Sequence, residues 1–398
     1  MLSLSMIVRN EAGRIAACLA SVADFVDEMV VLDTGSDDGT AAIAAACGAR
    51  VHHAPWPGDF APARNRALEL VQGDWVLVLD ADEQLLPEAR APLRQLMAEP
   101  DLLLITLLRQ ERGAVQSPYS SVSRLFRRLE GIGWSGRYHA LVDGSVAERV
   151  AREPHWRVGH CPLPALVHDG YQPELLATGD KARRLRAAME ADRAQRPTDP
   201  YLCAKLGALD VSEGRRQRGV RLLQLGLRHC PANAHGERYE LLTHLAIAQA
   251  PAQPAAAASL YRQALALPLD ARLTLAARLN LAALLLEQGD LEGAEALCEE
   301  ATAVAPEVGL GWYNLGLVRR RRGQLAAAIA AYRQALAREP QHAASHQNLA
   351  AALLLAGDIA GARQGFQEAI DLLETQGRVQ EAAQLRSRAG AMVRLDNP

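Results

Sequence analysis

A 34-residue period runs through the second half of the chain and limits what that half can fold into. In "GLGWYNLGLVRRRRGQLAAAIAAYRQALAREP", starting at Gly309, the residues Trp312, Leu315, Gly316, Ala328, Tyr332, Ala335 and Pro340 stand at intervals that suit two helices joined by a turn. A step of 34 residues forward brings up Leu349, Ala350, Ala362, Phe366 and Ala369. A step of 34 back brings up Leu281, Ala282, Ala294, Cys298, Ala301 and Pro306. Another copy begins near Pro200, with Leu206, Gly207, Leu223, Gly226 and Pro231. A poorer one lies around Leu245, Tyr261, Ala264 and Pro268, its spacing disturbed by "APAQPAAA". Small residues let paired helices approach closely and large ones fill the neighbouring unit's groove. One unit cannot bury its own apolar face, so several must stack.

This spacing is the pattern of a tetratricopeptide repeat. It predicts about five repeats over residues 200–376 and a capping helix over residues 377–398. An all-α solenoid of this kind can support a neighbouring domain, join two copies into a homodimer, or grip a peptide. The period alone leaves all three open. The Arg319–Arg322 run reads as a solvated helix face.

The first half alternates strand and helix. "LSLSMIVRN" is an apolar strand and "EAGRIAACLASVADFV" an amphipathic helix; "EMVVLDTGSDDGT" is a strand breaking into a turn, followed by the helix "AAIAAACGA". "RVHHAP", "APARNRALELVQG" and "DWVLVLDADEQ" continue as strand, helix and strand. This order predicts an α/β, Rossmann-like domain with a mostly parallel sheet. Ligands of such sheets sit outside the carboxyl ends of the strands, where the acidic clusters Asp33–Asp38 and Asp80–Glu83 fall. Side chains alternate along a strand, so Asp80 and Asp82 can turn both carboxylates to one edge. Two close carboxylates repel each other unless a cation joins them. Mg2+ or Mn2+, which takes oxygen ligands and holds substrate phosphates, suits that place.

The remaining bulk features narrow the class. A net charge of −3 does not suggest a nucleic-acid or anionic-membrane binder. The six cysteines are scattered without a CxxC, so reduced thiols are expected in place of zinc or disulfides. No run approaches the ~20 apolar residues of a membrane span, and the N-terminus lacks the basic region of a signal peptide. A soluble, cytoplasmic protein is the expectation.

Four segments in order, "SMIVRNEAGRIAACLASV", "VVLDTGSDDGTAAIA", "APARNRALE" and "DWVLVLDADE", resemble the nucleotide-binding half of a family 2 glycosyltransferase. Further on, "SRLFRR", "GRYHALV" and "LVHDGY" resemble the acceptor half of those members that carry C-terminal tetratricopeptide repeats. The resemblance implies a GT-A domain over residues 1–175 and makes residues 176–199 a helical connector to the repeats. It implies a metal-dependent, inverting enzyme that moves a sugar from a nucleoside-diphosphate sugar, most commonly UDP-linked, to a peptide, protein or glycan acceptor. Carried over by position, Asp33 contacts the nucleoside, with Glu11 and Arg64 near the base or diphosphate. Asp80 holds the ribose or a metal-bound water. Asp82 ligates the metal and His168 completes its site.

One position departs from the pattern. Related sequences place an acid directly after the histidine of "GRxHE", and here that position is Ala140. The general base that takes the acceptor's proton must then come from elsewhere. Asp143, Glu83 and His139 are the candidates, with Asp169 and Glu148 behind them. An acceptor nucleophilic enough to need little help, such as a thiol, is a second solution. The third is a non-catalytic repeat scaffold that retains a degenerate sugar-nucleotide domain. A nucleotidyltransferase is disfavoured, because "IVRNEAGR" is a poor match to the Gly-rich basic loop such enzymes carry after their first strand.

Overall fold

The computed structural model describes residues 1–114, 118–136, 140–169 and 179–393. The chain forms two compact units, Met1–Pro197 and Thr198–Pro398. The division falls between the prolines Pro197 and Pro200, and the helix α6 (Gly179–Gln195), within the expected helical connector of residues 176–199, is counted with the first unit.

In the first unit, β1 (Leu2–Val8), β2 (Glu28–Asp33), β3 (Arg50–His53) and β4 (Trp75–Val78) pair in parallel in the order β3-β2-β1-β4. β1 and β4 are buried almost throughout, as strands covered on both faces must be. Helices α1 (Ile15–Ala20), α2 (Thr40–Ala46) and α3 (Phe60–Leu70) make the crossovers. Past β4 the sheet becomes mixed. β7 (Tyr119–Arg127) runs antiparallel to β4, and β6 (Leu102–Glu111) antiparallel to β7. β8 (Arg157–His168) runs parallel to β6, and the short β5 (Glu83–Leu85) closes the far edge antiparallel to β8. Four of the seven pairings are parallel, so the sheet is mostly parallel, as expected.

Two expected elements are shorter than the sequence suggests. The helix read over "EAGRIAACLASVADFV" is reduced to the six residues of α1. The residues before it are committed elsewhere, because the backbone N–H groups of Asn10, Glu11 and Ala12 donate to Ser36 Oγ, Thr40 Oγ1 and Asp38 Oδ2. Asn10 takes a left-handed φ of 57° to make that turn, a conformation asparagine tolerates better than most residues. The strand read through "DWVLVLDADEQ" likewise stops at Val78. A turn closed by Glu83 N–H on the Asp80 carbonyl (3.0 Å) redirects the chain into β5.

The second unit is a stack of five helix pairs. They are α7 (Pro200–Ser212) with α8 (Arg216–His229), α9 (His235–Gln249) with α10 (Pro254–Leu265), and α11 (Leu275–Gln288) with α12 (Leu291–Val304). α13 (Gly309–Arg321) with α14 (Leu325–Arg338) and α15 (Ala343–Leu355) with α16 (Ile359–Thr375) follow, and α17 (Val379–Gly390) caps the stack. The disturbed second repeat is accommodated at its turns: Pro254 opens α10, where its missing N–H costs nothing. Gly316 shows why the period needs small residues. A Cβ there would lie 2.5 Å from the Tyr332 ring, which fills the space between α13 and α14.

Candidate functional site

The site is assembled at the carboxyl ends of β1, β2 and β4, with β5 and β8 alongside. Beginning at Arg64 on α3, charges of alternating sign follow one another without a break. Arg64 Nη2 donates to Asp80 Oδ1 (2.7 Å), and Arg124 Nη2 donates to Asp80 Oδ2 (2.5 Å) and lies 3.5 Å from Glu83 Oε1. Arg109 Nη1 donates to Glu83 Oε1 (2.5 Å) and its Nη2 to Glu111 Oε1 (2.8 Å). Glu111 Oε2 meets His168 Nδ1 (2.6 Å), and His168 Nε2 lies 3.4 Å from Asp82 Oδ2. Asp82 Oδ2 is 3.5 Å from Arg14 Nη1, and Arg14 Nη2 donates to Glu11 Oε2 (2.5 Å). Buried charge is tolerated only when paired and hydrogen-bonded, and here each group has an opposite on both sides except at the ends.

Strand register explains how distant residues meet. β5 pairs with β8 so that Glu83 faces His168, and Glu111 on β6 faces His168 from the other side. The turn that carries Asp82 thereby lies against the last residue of β8, and Asp169 N–H donates to the Asp82 carbonyl at 3.1 Å. Arg124 reaches Asp80 because β7 bulges there. Leu125 pairs with Ile105 and Ser123 with Thr106, leaving Arg124 as the extra residue, and such bulges re-aim side chains beside active sites.

The network sets the protonation of its members. Burial disfavours ionised Asp80, but Arg124 and Arg64 override it and hold the carboxyl well below the usual carboxylate range. Asp82 is lowered for the same balance of reasons: burial opposes the charge, and His168 favours it. Burial would lower His168, but its hydrogen bonds to Asp82 and Glu111 win and push it up to about 9.

The donor set admits a metal of one kind. Among the described residues, no group of three or more His, Cys, Asp or Glu side chains is placed to hold an ion. Asp82 Oδ2 and His168 Nε2 form a two-ligand pair within 3.4 Å. Two protein ligands suit Mg2+ or Mn2+ arriving with substrate phosphates and water, and do not suit a standing structural ion.

The other sequence candidates fall in different places. Asp33 is buried, and its Oδ1 accepts from Gly35 N–H, Ser36 N–H and Ser36 Oγ at 2.8–3.1 Å. It shapes the β2–α2 loop and lies 3.4 Å from His53 Nδ1. Glu83 is fully buried, with one oxygen on Arg109 and the other accepting the Asp80 N–H. That geometry corrects its candidacy as a general base, since an acceptor hydroxyl cannot reach it. Asp143 is exposed in the first turn of α5 (Asp143–Arg152) and accepts 2.7 Å from Ser123 Oγ, beside the bulge. His139 lies outside the described residues.

Arg14, Arg109, Glu111, Arg124 and Trp134 were given no role from the sequence. Trp134 lies under the Arg64 guanidinium, 4.8 Å from ring centre to Cζ, and its backbone N–H and C=O are both held by the Asn65 side chain. Arg64 is buried with its Nη1 unpaired among the described residues. The signal for Arg124 was present: an arginine inside the apolar end of a strand, in "SRLF", needs an acid to meet it.

A mostly parallel α/β sheet with an acidic turn at its carboxyl edge, followed by helix pairs in series, makes an α/β domain joined to a repeat array. Comparison with known proteins gives the same two parts. The family Glycosyl transferase family 2 matches residues 3–152, and Tetratricopeptide repeat matches residues 249–307 and 313–375. A TPR repeat-containing protein of Synechococcus elongatus is 43% identical over 391 residues, 98% of this chain and 96% of that one. An uncharacterized glycosyltransferase of Rickettsia felis is 33% identical over 136 residues, 32% of this chain and 48% of its own. The SPbeta prophage-derived glycosyltransferase SunS of Bacillus subtilis is 28% identical over 196 residues, 46% of this chain and 43% of its own. The chain thus spans less than half the length of either of these two glycosyltransferases. It carries a family 2 glycosyltransferase domain followed by C-terminal tetratricopeptide repeats, and belongs with the TPR repeat-containing proteins.

Proposed function

We propose that the first unit is a metal-dependent, inverting glycosyltransferase that uses a nucleoside-diphosphate sugar, with UDP as the expected carrier. The observation that carries this reading is the approach of Asp82 and His168 at the carboxyl edge of the sheet, with Arg14 and Arg64 on either side. When bound there, Mg2+ or Mn2+ would neutralise the leaving diphosphate. The protein's own contribution is positioning. Asp80 is fixed between Arg64 and Arg124, so its orientation is set before any substrate arrives. Arg64 keeps Nη1 for a ligand oxygen. The four hydrogen bonds between the β1–α1 and β2–α2 loops, three from the N–H groups of Asn10, Glu11 and Ala12 and one from Asp37 N–H to Asn10 Oδ1 (3.0 Å), prepare one nucleotide-facing surface from two segments.

With Ala140 inert and Glu83 enclosed, Asp143 is the base we assign to the acceptor's proton. It is exposed, and its hydrogen bond to Ser123 orients it beside the Arg124 bulge. We assign the acceptor to the repeats, as a segment held by the second unit. The test is UDP release from a panel of UDP-sugars incubated with Mn2+ or with EDTA. Metal-dependent release that falls at least a hundredfold in Asp82→Ala agrees with the reading. Release that ignores both the chelator and the substitution contradicts it.

A further inference from the structure

Glu111 closes β6 as a buried carboxylate, and strand register sets it opposite His168 at the end of β8. The backbone secures that pairing from both sides: Glu111 N–H donates to the Pro118 carbonyl (2.9 Å), and Arg112 N–H to the His168 carbonyl (3.0 Å). One of its oxygens, Oε1, is gripped by donors alone. Arg109 reaches it through Nε (2.9 Å) and Nη2 (2.8 Å), and the Ser120 hydroxyl donates to it as well. The other oxygen, Oε2, meets His168 Nδ1 at 2.6 Å. We propose that Glu111 is a positioning residue for the divalent metal: it holds the Nδ1–H of His168, so that the ring presents Nε2, on the Asp82 side, as the ligand atom. The proposal rests on the metal-dependent glycosyltransferase reading.

The two sides of the imidazole differ in a way that an ion pair kept for burial alone does not need. On the Nδ1 side, the carboxylate is 4% exposed and immobilised by Arg109 and Ser120. On the Nε2 side, the Asp82 carboxylate is 20% exposed, 3.4 Å from the ring and 3.5 Å from Arg14. Both of those distances exceed an ordinary charge-assisted hydrogen bond. One side is locked and the other is loosely held. A metal-ligating histidine commonly gives its second ring N–H to a carboxylate, which fixes both the nitrogen that bears the proton and the direction of the ring. The locked side of His168 has that arrangement, and the loosely held side faces the carboxylate assigned to the metal.

Glutamine at position 111 separates orientation from charge. A guanidinium donates and never accepts, so the two Arg109 N–H groups keep the amide oxygen of Glu111→Gln on the Oε1 side. Ser120 reinforces this, because its oxygen already accepts from Arg109 Nε (3.2 Å) while its proton points at position 111. The amide NH2 then faces Nδ1 and requires an acceptor there. The ring proton is driven to Nε2, and that nitrogen is blocked as a ligand. Glu111→Ala removes the charge and the hydrogen bond together but imposes no tautomer. If Glu111 acts by orientation, glutamine is the more damaging of the two; if it acts by charge alone, they are equal.

The test follows Mn2+ binding to the full chain in the presence of UDP by water-proton relaxation enhancement, with UDP alone as the blank. Glu111→Gln should weaken Mn2+ by about 10–100-fold, and more than Glu111→Ala does. With Mg2+ and UDP present, long-range 1H–15N spectra should place the His168 ring proton on Nδ1 in the wild type and on Nε2 in Glu111→Gln. In a His168→Ala background, Glu111→Gln should change the Mn2+ affinity no further, because its effect passes through the ring. Ser120→Ala loosens the carboxylate and leaves its charge in place; it should weaken Mn2+ severalfold, and it carries the test where circular dichroism shows Glu111→Gln to be unfolded. Unchanged affinity in a folded Glu111→Gln, or failing that in Ser120→Ala, overturns the proposal. So do equal losses in Glu111→Gln and Glu111→Ala with the proton still on Nδ1, and so does a full further loss in the His168→Ala background. Wild-type binding that His168→Ala leaves intact would remove His168 as a ligand, and the proposal with it, while Asp82 and the metal stand. Absence of Mn2+ binding by the wild type would overturn the metal-dependent reading itself together with the proposal.

Discussion

At the scale of single residues, the site depends on charges that would be costly apart. Arg124 is largely buried and holds two acids at once, Asp80 and Glu83. Arg124→Ala should cost about 3–5 kcal/mol in denaturant midpoint measurements, because it leaves buried carboxylates short of a partner. Arg124→Lys should recover only part of this, since one ammonium cannot reproduce the fork. His168 gives a pH signature. Its folded pKa, about 9, lies above the ordinary 6.5, so its contribution is fully present below pH 6.5 and is lost as pH rises through about 9. In EDTA, wild-type stability relative to His168→Gln should fall across that window by up to ~3 kcal/mol. A difference independent of pH would contradict the pairing with Asp82 and Glu111. Much of this scale was legible in the sequence: Asp80, Asp82 and His168 announced themselves by cluster and motif. Arg109, Glu111 and Arg124 were missed: the position of Arg124 in its strand called for an acid without saying which, and apart from the local Arg109–Glu111 pair their partners are 26 to 57 positions away, where only strand register brings them together.

At the scale of elements, the same physics decided where pattern reading worked and where it failed. The helix pairs were readable because their period is local and repeated, and each copy corroborates the next. α1 was overread because the apolar spacing of "EAGRIAACLASVADFV" says nothing about backbone N–H groups already given to a neighbouring loop. β5 was missed as a separate strand, since three residues carry no periodic signal and its pairing with β8 is long-range. The close approach of α13 and α14 gives a direct test of the repeat packing. Gly316→Ala sets a Cβ 2.5 Å from Tyr332, and overpacking of this kind costs about 1–3 kcal/mol. Gly323→Ala, at a left-handed turn with open space around it, should cost about 1 kcal/mol through backbone strain alone. Circular dichroism melts of the two variants should therefore rank them in that order.

At the scale of the whole molecule, two units with separate cores should unfold as two events. UDP with Mn2+ should raise one calorimetric transition by mass action and leave the other in place. Gly316→Ala should lower only the transition that the nucleotide does not move. A single transition shifted by both would show that the units are thermodynamically one. No helix among the described residues is long and apolar enough to cross a membrane.

If the turn after β4 holds a metal that in turn holds a nucleotide, calorimetric titration with UDP will show it. The expected result is binding in Mn2+ that disappears in EDTA and in Asp82→Ala, with the Asp82→Ala protein still folded by circular dichroism. Binding of equal strength in EDTA, or in Asp82→Ala, would contradict it. So would the absence of binding to UDP, GDP, TDP and CMP alike in the presence of Mn2+.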